Sequence, residues 1–181
     1  MITDNELMLK IISGDIDKIG VLYERYNKML FGYFFKLSRD QVLSEDMVND
    51  VFLKILHVKN KYRGDGIFKV WMFKIARSIF IDNYNRNKRQ IVKENIYGNN
   101  INGKTAEDSH LLLEQKENKQ LVHQALRRLN KKEQEVIILS KLDELKYKEV
   151  AEILNCTEEA AKVRTFRALK NLKKVLQKMQ N

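Results

Sequence analysis

Residues 145–176 read LKYKEVAEILNCTEEAAKVRTFRALKNLKKVL, and the spacing within them decides what fold this chain can adopt. Tyr147, Val150, Ala151 and Leu154 fall at three- and four-residue steps, which puts them on one face of a helix. Asn155-Cys156-Thr157 then makes a tight turn, with Thr157 as N-cap and Glu158 and Glu159 in the first turn of a second helix. In that helix Ala161, Thr165, Ala168 and Leu172 follow at steps of four, three and four. Small side chains there let two helices cross closely, so the stretch reads as a helix-turn-helix. The outward face carries Lys162, Arg164, Phe166, Arg167, Lys170, Lys173, Lys174 and Lys178, and no acid follows Lys162. The second helix of such a motif enters the major groove of DNA with its N-terminal residues at base edges. Lys162, Phe166 and Arg167 are therefore expected at bases, because Lys and Arg pair with guanine and an aromatic ring packs on a thymine methyl. Arg164 shares this basic face, and Lys170, Lys173 and Lys174 lie further along, where phosphates are the expected contacts. Glu158 and Glu159 either accept from a cytosine amino group or complement the helix dipole, and we take the second reading.

The rest of the chain agrees with a helical, nucleic-acid-binding protein. Among its 181 residues there is no proline, and Leu, Ile, Lys and Glu recur in long runs, so the expected class is all-α. Lys and Arg total 34 against 24 Asp and Glu, with a sequence pI of about 9.6, which favours a polyanionic partner. The excess is uneven: residues 1–90 carry a net charge of +5, residues 91–118 a net of −2, and residues 119–181 a net of +7. No apolar run approaches the roughly 18 residues needed to cross a bilayer, so membrane insertion is not expected. The opening MITDNELMLKIISGD carries acids where a secretory signal carries bases. Cys156 is the single cysteine, which excludes an internal disulfide, fits a cytoplasmic setting and reads as a small packing residue in its turn. His57, His110 and His123 are scattered and no glycine-rich phosphate loop is present, so no catalytic residue, metal or cofactor is expected.

Periodicity divides the chain into two small helical domains joined by a flexible linker. Helices are predicted over 5–13 and 16–37, and from about 45 to 58, with Ser44 as the N-cap of the third. Tyr62-Arg63-Gly64-Asp65-Gly66 reads as a loop, followed by a long helix over 67–88. YGNNINGKTAEDS, residues 97–109, loses all apolar periodicity and is the clearest linker segment. Helical pattern resumes near Leu111, then continues at 131–142, 146–154 and 157–178. The domain boundaries follow as 1–92, 93–118 for the linker, and 119–181.

FKVWMFKIARSIFIDNYNRNKR, residues 68–89, begins as a core helix and ends as a basic surface. Trp71 has the apolar helical neighbours Phe68, Ile75 and Ile79, so it reads as a core residue rather than a stacking platform. Lys74, Arg77, Arg86, Lys88 and Arg89 supply cations, while Asn83 and Tyr84 offer hydrogen bonding and a stacking face. In SEDMVNDVFLKIL, residues 44–56, Asp46 and Asp50 stand at an i, i+4 step with Asn49 between them. Such a face either complements the helix dipole or binds a basic partner helix, with Phe52, Leu53 and Leu56 adding apolar burial.

These blocks, in this order, resemble the bacterial sigma-70 family of RNA polymerase sigma factors, in its extracytoplasmic-function (ECF) group. The likeness runs through ISGD at 12–15, LYERYNKMLFGYFFKL at 22–37, SEDMVNDVFLKIL, FKVWMFKIARSIFIDNYNRNKR, and then ALRRLNKKEQEVIILSKLDELKYKEVAEIL with AAKVRTFRALKNL. It implies a region 2 helical bundle at 1–92 and a region 4 helix-turn-helix at 119–181. It also decides the carboxylate face for docking on core RNA polymerase, through Asp46, Asn49, Asp50, Phe52 and Leu53. By the same resemblance Lys74, Arg77, Asn83, Tyr84, Arg86, Lys88 and Arg89 recognise the promoter −10 element and capture its melted strand, with the Tyr62–Gly66 loop cradling a flipped base. Lys162, Arg164, Phe166, Arg167, Lys170 and Lys174 are assigned to the −35 element. The implied partners are core RNA polymerase and promoter DNA, and an anti-sigma factor joins them because many members of the family have one.

The chain departs from the family pattern at Ser78, where Asn is common, and at Asn49-Asp50 in place of Gln-Glu. Asn130 replaces a proline, Lys146 a Ser or Thr cap, and Glu159-Ala160 a Gly-Thr pair. None of these removes a basic contact, and those at 78 and 159–160 bear on the promoter sequence rather than on the role. The alternative is a free-standing helix-turn-helix transcriptional regulator whose first domain senses or dimerises. Such a domain has no need of the basic aromatic helix at 68–89.

Overall fold

Without proline, helices in this chain end at caps, at glycine or at left-handed residues. The computed structural model describes residues 2–97 and 113–180, and of these the side chains of 87–97 and 113–119 lie outside the description. Eight α-helices are present among the described residues: α1 (Asp4–Ile12), α2 (Lys18–Ser38), α3 (Gln41–His57), α4 (Phe68–Tyr97), α5 (Leu113–Arg127), α6 (Lys131–Ile137), α7 (Tyr147–Leu154) and α8 (Glu158–Gln180). The chain divides into two compact units, Met1–Ala106 and Glu107–Asn181. Segment 98–112, which holds most of the expected linker, lies outside the described residues.

In the first unit α1 packs on α2, α2 on α3, and α3 on α4. α1 opens with a capping box, in which the Thr3 hydroxyl accepts from the Glu6 N–H at 3.2 Å and the Glu6 carboxylate accepts from the Thr3 N–H at 2.7 Å. Its Leu7, Met8 and Ile11 are buried. The broad apolar face expected of α2 is present, with Leu22, Leu30, Tyr33, Phe34 and Leu37 buried, and the helix stops at Arg39 in the left-handed region, φ 64°. Tyr33 lies at the centre of this core. Its ring sits edge-on to Phe34 and to Phe73, with centroids 5.4 Å away in each case.

Two helix boundaries differ from expectation. Ser44 is not the N-cap of α3, because the helix begins at Gln41 and Asp40 caps it, accepting from the Leu43 N–H at 2.9 Å. Ser44 instead sits buried inside the helix with its hydroxyl on the Asp40 carbonyl. α4 runs to Tyr97 rather than stopping near 88, since no breaker interrupts the sequence before Gly98.

In the second unit α5, α6 and α7 all pack on α8. Asn130 opens α6 with a reciprocal box, accepting from the Glu133 N–H at 3.0 Å while Glu133 accepts from the Asn130 N–H at 3.2 Å. The helix expected over 131–142 changes character at Ile138, where one π turn, Ile138–Leu142, buries Ile138 and Leu139. α7 ends at Asn155, φ 51°, the left-handed step that makes the turn into α8. Among the described residues no helix is long and apolar enough to cross a membrane.

Candidate nucleic-acid and partner interfaces

α8 separates burial from exposure around its axis. Ala161, Thr165, Ala168 and Leu172 are buried, as their spacing predicts. Thr165 is accommodated there because its hydroxyl donates to the Ala161 carbonyl at 2.9 Å. Thr157 caps the helix, accepting from the Ala160 N–H at 3.1 Å, and Asn171 donates to Glu133 at 2.6 Å, tying α8 to α6. On the outer face Lys162, Arg164, Phe166, Arg167, Lys170 and Lys174 are all exposed, so the packing brings the six expected DNA contacts onto solvent. Phe166 is 69% exposed. Lys162 is bridged to Glu158 at 2.7 Å. That hydrogen bond and the Glu158 charge raise the Lys162 pKa, so the ammonium stays protonated. Glu158 therefore holds a neighbouring cation as well as sitting in the first turn.

In the first unit, Asp46, Asn49, Asp50 and Leu53 of α3 are exposed on a single strip. Leu53 is 64% exposed, an apolar side chain set among polar ones. Phe52 is only 6% exposed, so its burial is against its own domain, where its ring lies 4.9 Å from Tyr23, and Leu53 is the exposed apolar side chain of the strip. A cleft flanks the strip on each side. The one toward α2 is lined by Tyr23, Asn27, Lys28 and Phe31 with Gln41, Glu45, Val48 and Asn49. Tyr23, Asn27 and Phe31 line this cleft although their helix reads simply as core in the sequence.

The second cleft, about 730 Å³, lies between α3 and α4. It joins Asp50 and Leu53 to Trp71, Lys74, Asn83 and Arg86, so residues expected at two different partners share one groove. Trp71 is half-buried rather than core. One edge packs on Tyr62, centroids 5.0 Å apart, and the side chain also lines the groove. Lys74 and Arg86 are exposed, whereas Arg77 is half-buried. Tyr84 is 45% exposed and its ring is stacked over Phe80 at 6.2 Å, so a core residue supports an outward aromatic platform. Asn83 is half-buried and donates to the Ile79 carbonyl at 3.2 Å. The side chains of Lys88 and Arg89 lie outside the described residues. No group of three or more His, Cys, Asp or Glu able to hold a metal occurs among the described residues.

The geometry defines a helical binding protein with two separate basic surfaces, one of them a helix-turn-helix, and a carboxylate-bearing strip on the other domain. Known proteins sharpen that class. The Sigma-70 region 2 model matches residues 22–90 and the Sigma-70 region 4 model matches residues 119–172. RNA polymerase sigma factor YlaC of Bacillus subtilis (strain 168) is 28% identical over 162 residues, which are 90% of this chain and 94% of that protein. ECF RNA polymerase sigma factor SigM of the same strain is 26% identical over 156 residues, 86% of this chain and 93% of that protein. Among solved structures, CnrH in complex with the cytosolic domain of CnrY has the same fold, with a TM-score of 0.71 at 21% identity, covering 96% of this chain and 97% of that one. The sigma factor RpoE in complex with the anti-sigma factor NepR from Bartonella quintana gives a TM-score of 0.65 at 24% identity, over 83% of this chain and 91% of that one. The chain belongs to the sigma-70 family of RNA polymerase sigma factors, in its ECF group.

Proposed function

We infer that this chain is a sigma subunit that binds core RNA polymerase, directs it to specific promoters and promotes opening of the DNA. The observation that carries this is the order of a region 2 match and a region 4 match along one chain, each bearing its own exposed basic surface. A free-standing regulator needs only α5–α8, and it leaves the α3 strip and the α4 platform without a use.

The division of labour follows from the chemistry of each face. Asp46, Asn49, Asp50 and Leu53 suit a basic partner helix on the polymerase, with the carboxylates contributing orientation and on-rate and the leucine contributing burial. Opening a few base pairs costs a few kcal/mol, which contacts to unstacked bases offset. Tyr84 offers a face for stacking, worth about 1–3 kcal/mol per base, while Lys74 and Arg86 follow the strand backbone. The Tyr62–Gly66 loop receives a flipped base. Lys162, Phe166 and Arg167 read the −35 duplex, and Arg164, Lys170 and Lys174 hold its phosphates. The chain acts by binding and not by catalysis, in the cytoplasm where its polymerase is. An anti-sigma factor is a further proposed partner, on the pattern of RpoE with NepR.

Run-off transcription with purified bacterial core polymerase, on DNA from upstream of this protein's own coding sequence, tests the reading. Initiation from a defined start that depends on the added chain is expected. Absence of both polymerase association and start-specific initiation defeats it.

A further inference from the structure

We propose that Asn5 of α1 is a positioning residue for base capture, holding the Tyr62–Gly66 loop in the shape that receives an unstacked base. The inference rests on the role assigned to that loop above. α1 lies before residue 22, where the region 2 match begins.

Asn5 uses its whole amide on one loop. Its Nδ2 donates to the Gly66 carbonyl at 3.0 Å and, at a longer 3.4 Å, to the Gly64 carbonyl. Its Oδ1 accepts from the Tyr62 hydroxyl. The loop needs such a tie. It carries two glycines, with Gly64 at φ 75°, and Arg63, Asp65, Gly66 and Ile67 are exposed, so few side-chain contacts restrain its backbone. Asn5 is itself well anchored. The Thr3–Glu6 box caps its helix, Arg25 donates to Asp4 at 2.6 Å, and Tyr26 donates to the other Asp4 oxygen. Leu9, one turn along and 52% exposed, lies against Gly64, so α1 also walls the loop.

The tie has a directional consequence. In a trans peptide the C=O and the following N–H point opposite ways, and this chain has no cis bond among its described residues. Turning the Gly64 and Gly66 carbonyls toward Asn5 therefore turns the N–H groups of Asp65 and Ile67 away from it. Two backbone donors with fixed direction fit a base edge that offers acceptors, such as a ring nitrogen or a carbonyl oxygen. Asn5 thus sets which donors the loop shows to DNA without touching DNA.

The test uses holoenzyme assembled from core polymerase and the full chain. Affinity is measured for single-stranded −10 oligonucleotides carrying each of the four bases at each position in turn. Wild type is expected to discriminate strongly at one position. Asn5→Ala and Asn5→Asp, which both lose the two donors, should cut the best-to-worst ratio there by about tenfold. Discrimination at other positions and core binding should stay as in wild type. Because the readout is a ratio between bases on one preparation, a loss of folded protein cancels from it. Unchanged discrimination in Asn5→Ala and Asn5→Asp overturns the proposal while the sigma reading stands, as does an equal loss at every position. If wild type shows no base preference at any position, the assignment of the loop fails and the role of Asn5 fails with it.

Discussion

α4 and α8 each bury one set of residues and expose a basic set, but they separate the two along different directions. In α8 the division runs around the axis: Ala168 is fully buried while Arg167, one residue before it, is exposed. In α4 it also runs along the axis: Phe68, Met72, Phe73 and Ala76 are buried beside the exposed Lys74, whereas beyond Phe80 the described side chains of Tyr84, Asn85 and Arg86 are all exposed. A helix divided around its axis can exchange its outer face without disturbing its core. A helix divided along its axis is fixed in place by its first half, and its outward end inherits that placement through Phe80 under Tyr84.

The sharpest way to break this contrast is to damage each core. Phe73→Ala removes a fully buried ring and should cost about 3–5 kcal/mol, enough to unfold the first unit and abolish polymerase binding. Ala168→Leu overpacks the α8 core and should cost about 1–3 kcal/mol, a smaller loss confined to the second unit. Denaturant unfolding followed by a probe in each unit separates the two. Next in size is Arg167→Ala. It should weaken −35 duplex binding by about 1–3 kcal/mol, with core-polymerase affinity and thermal stability unchanged, as seen by fluorescence anisotropy and a melting curve. A lowered melting temperature would contradict the division around the axis. Asp50→Ala should slow association with core polymerase a few-fold, most clearly at low salt, in stopped-flow binding. Unchanged association removes Asp50 from the docking strip. The smallest expected effect comes from Glu158→Gln, which releases Lys162 toward DNA. Duplex affinity should rise by less than about threefold at low salt and converge with wild type as salt screens the pair.

The same contrast explains what was legible in the sequence. The inward residues of α8 could be read directly, because Ala161, Thr165, Ala168 and Leu172 repeat the helical period. The start of α3 could not, because Asp40 and Ser44 are both good caps one turn apart and Val42 between them is 68% exposed, giving no apolar signal to choose by. Phe52 and Leu53 are adjacent apolar residues that sequence cannot assign to opposite sides without knowing where Tyr23 lies. The extension of α4 past 88 was hidden because its polar residues show no period to follow. Asn5 left no trace at all. Two of its partners are backbone carbonyls 59 and 61 residues away, and a carbonyl has no sequence signature.

In the proposed division of labour α8 finds the promoter and the end of α4 opens it. Permanganate reactivity of unpaired thymines, measured with holoenzyme carrying Tyr84→Ala or Arg167→Ala, tests it most directly. Tyr84→Ala should still occupy the promoter but leave the −10 thymines unreactive, because the stacking platform worth about 1–3 kcal/mol per base is gone. Arg167→Ala should occupy fewer promoters, each of them opened as in wild type. Full thymine reactivity in Tyr84→Ala, or bound but closed complexes in Arg167→Ala, would contradict the account.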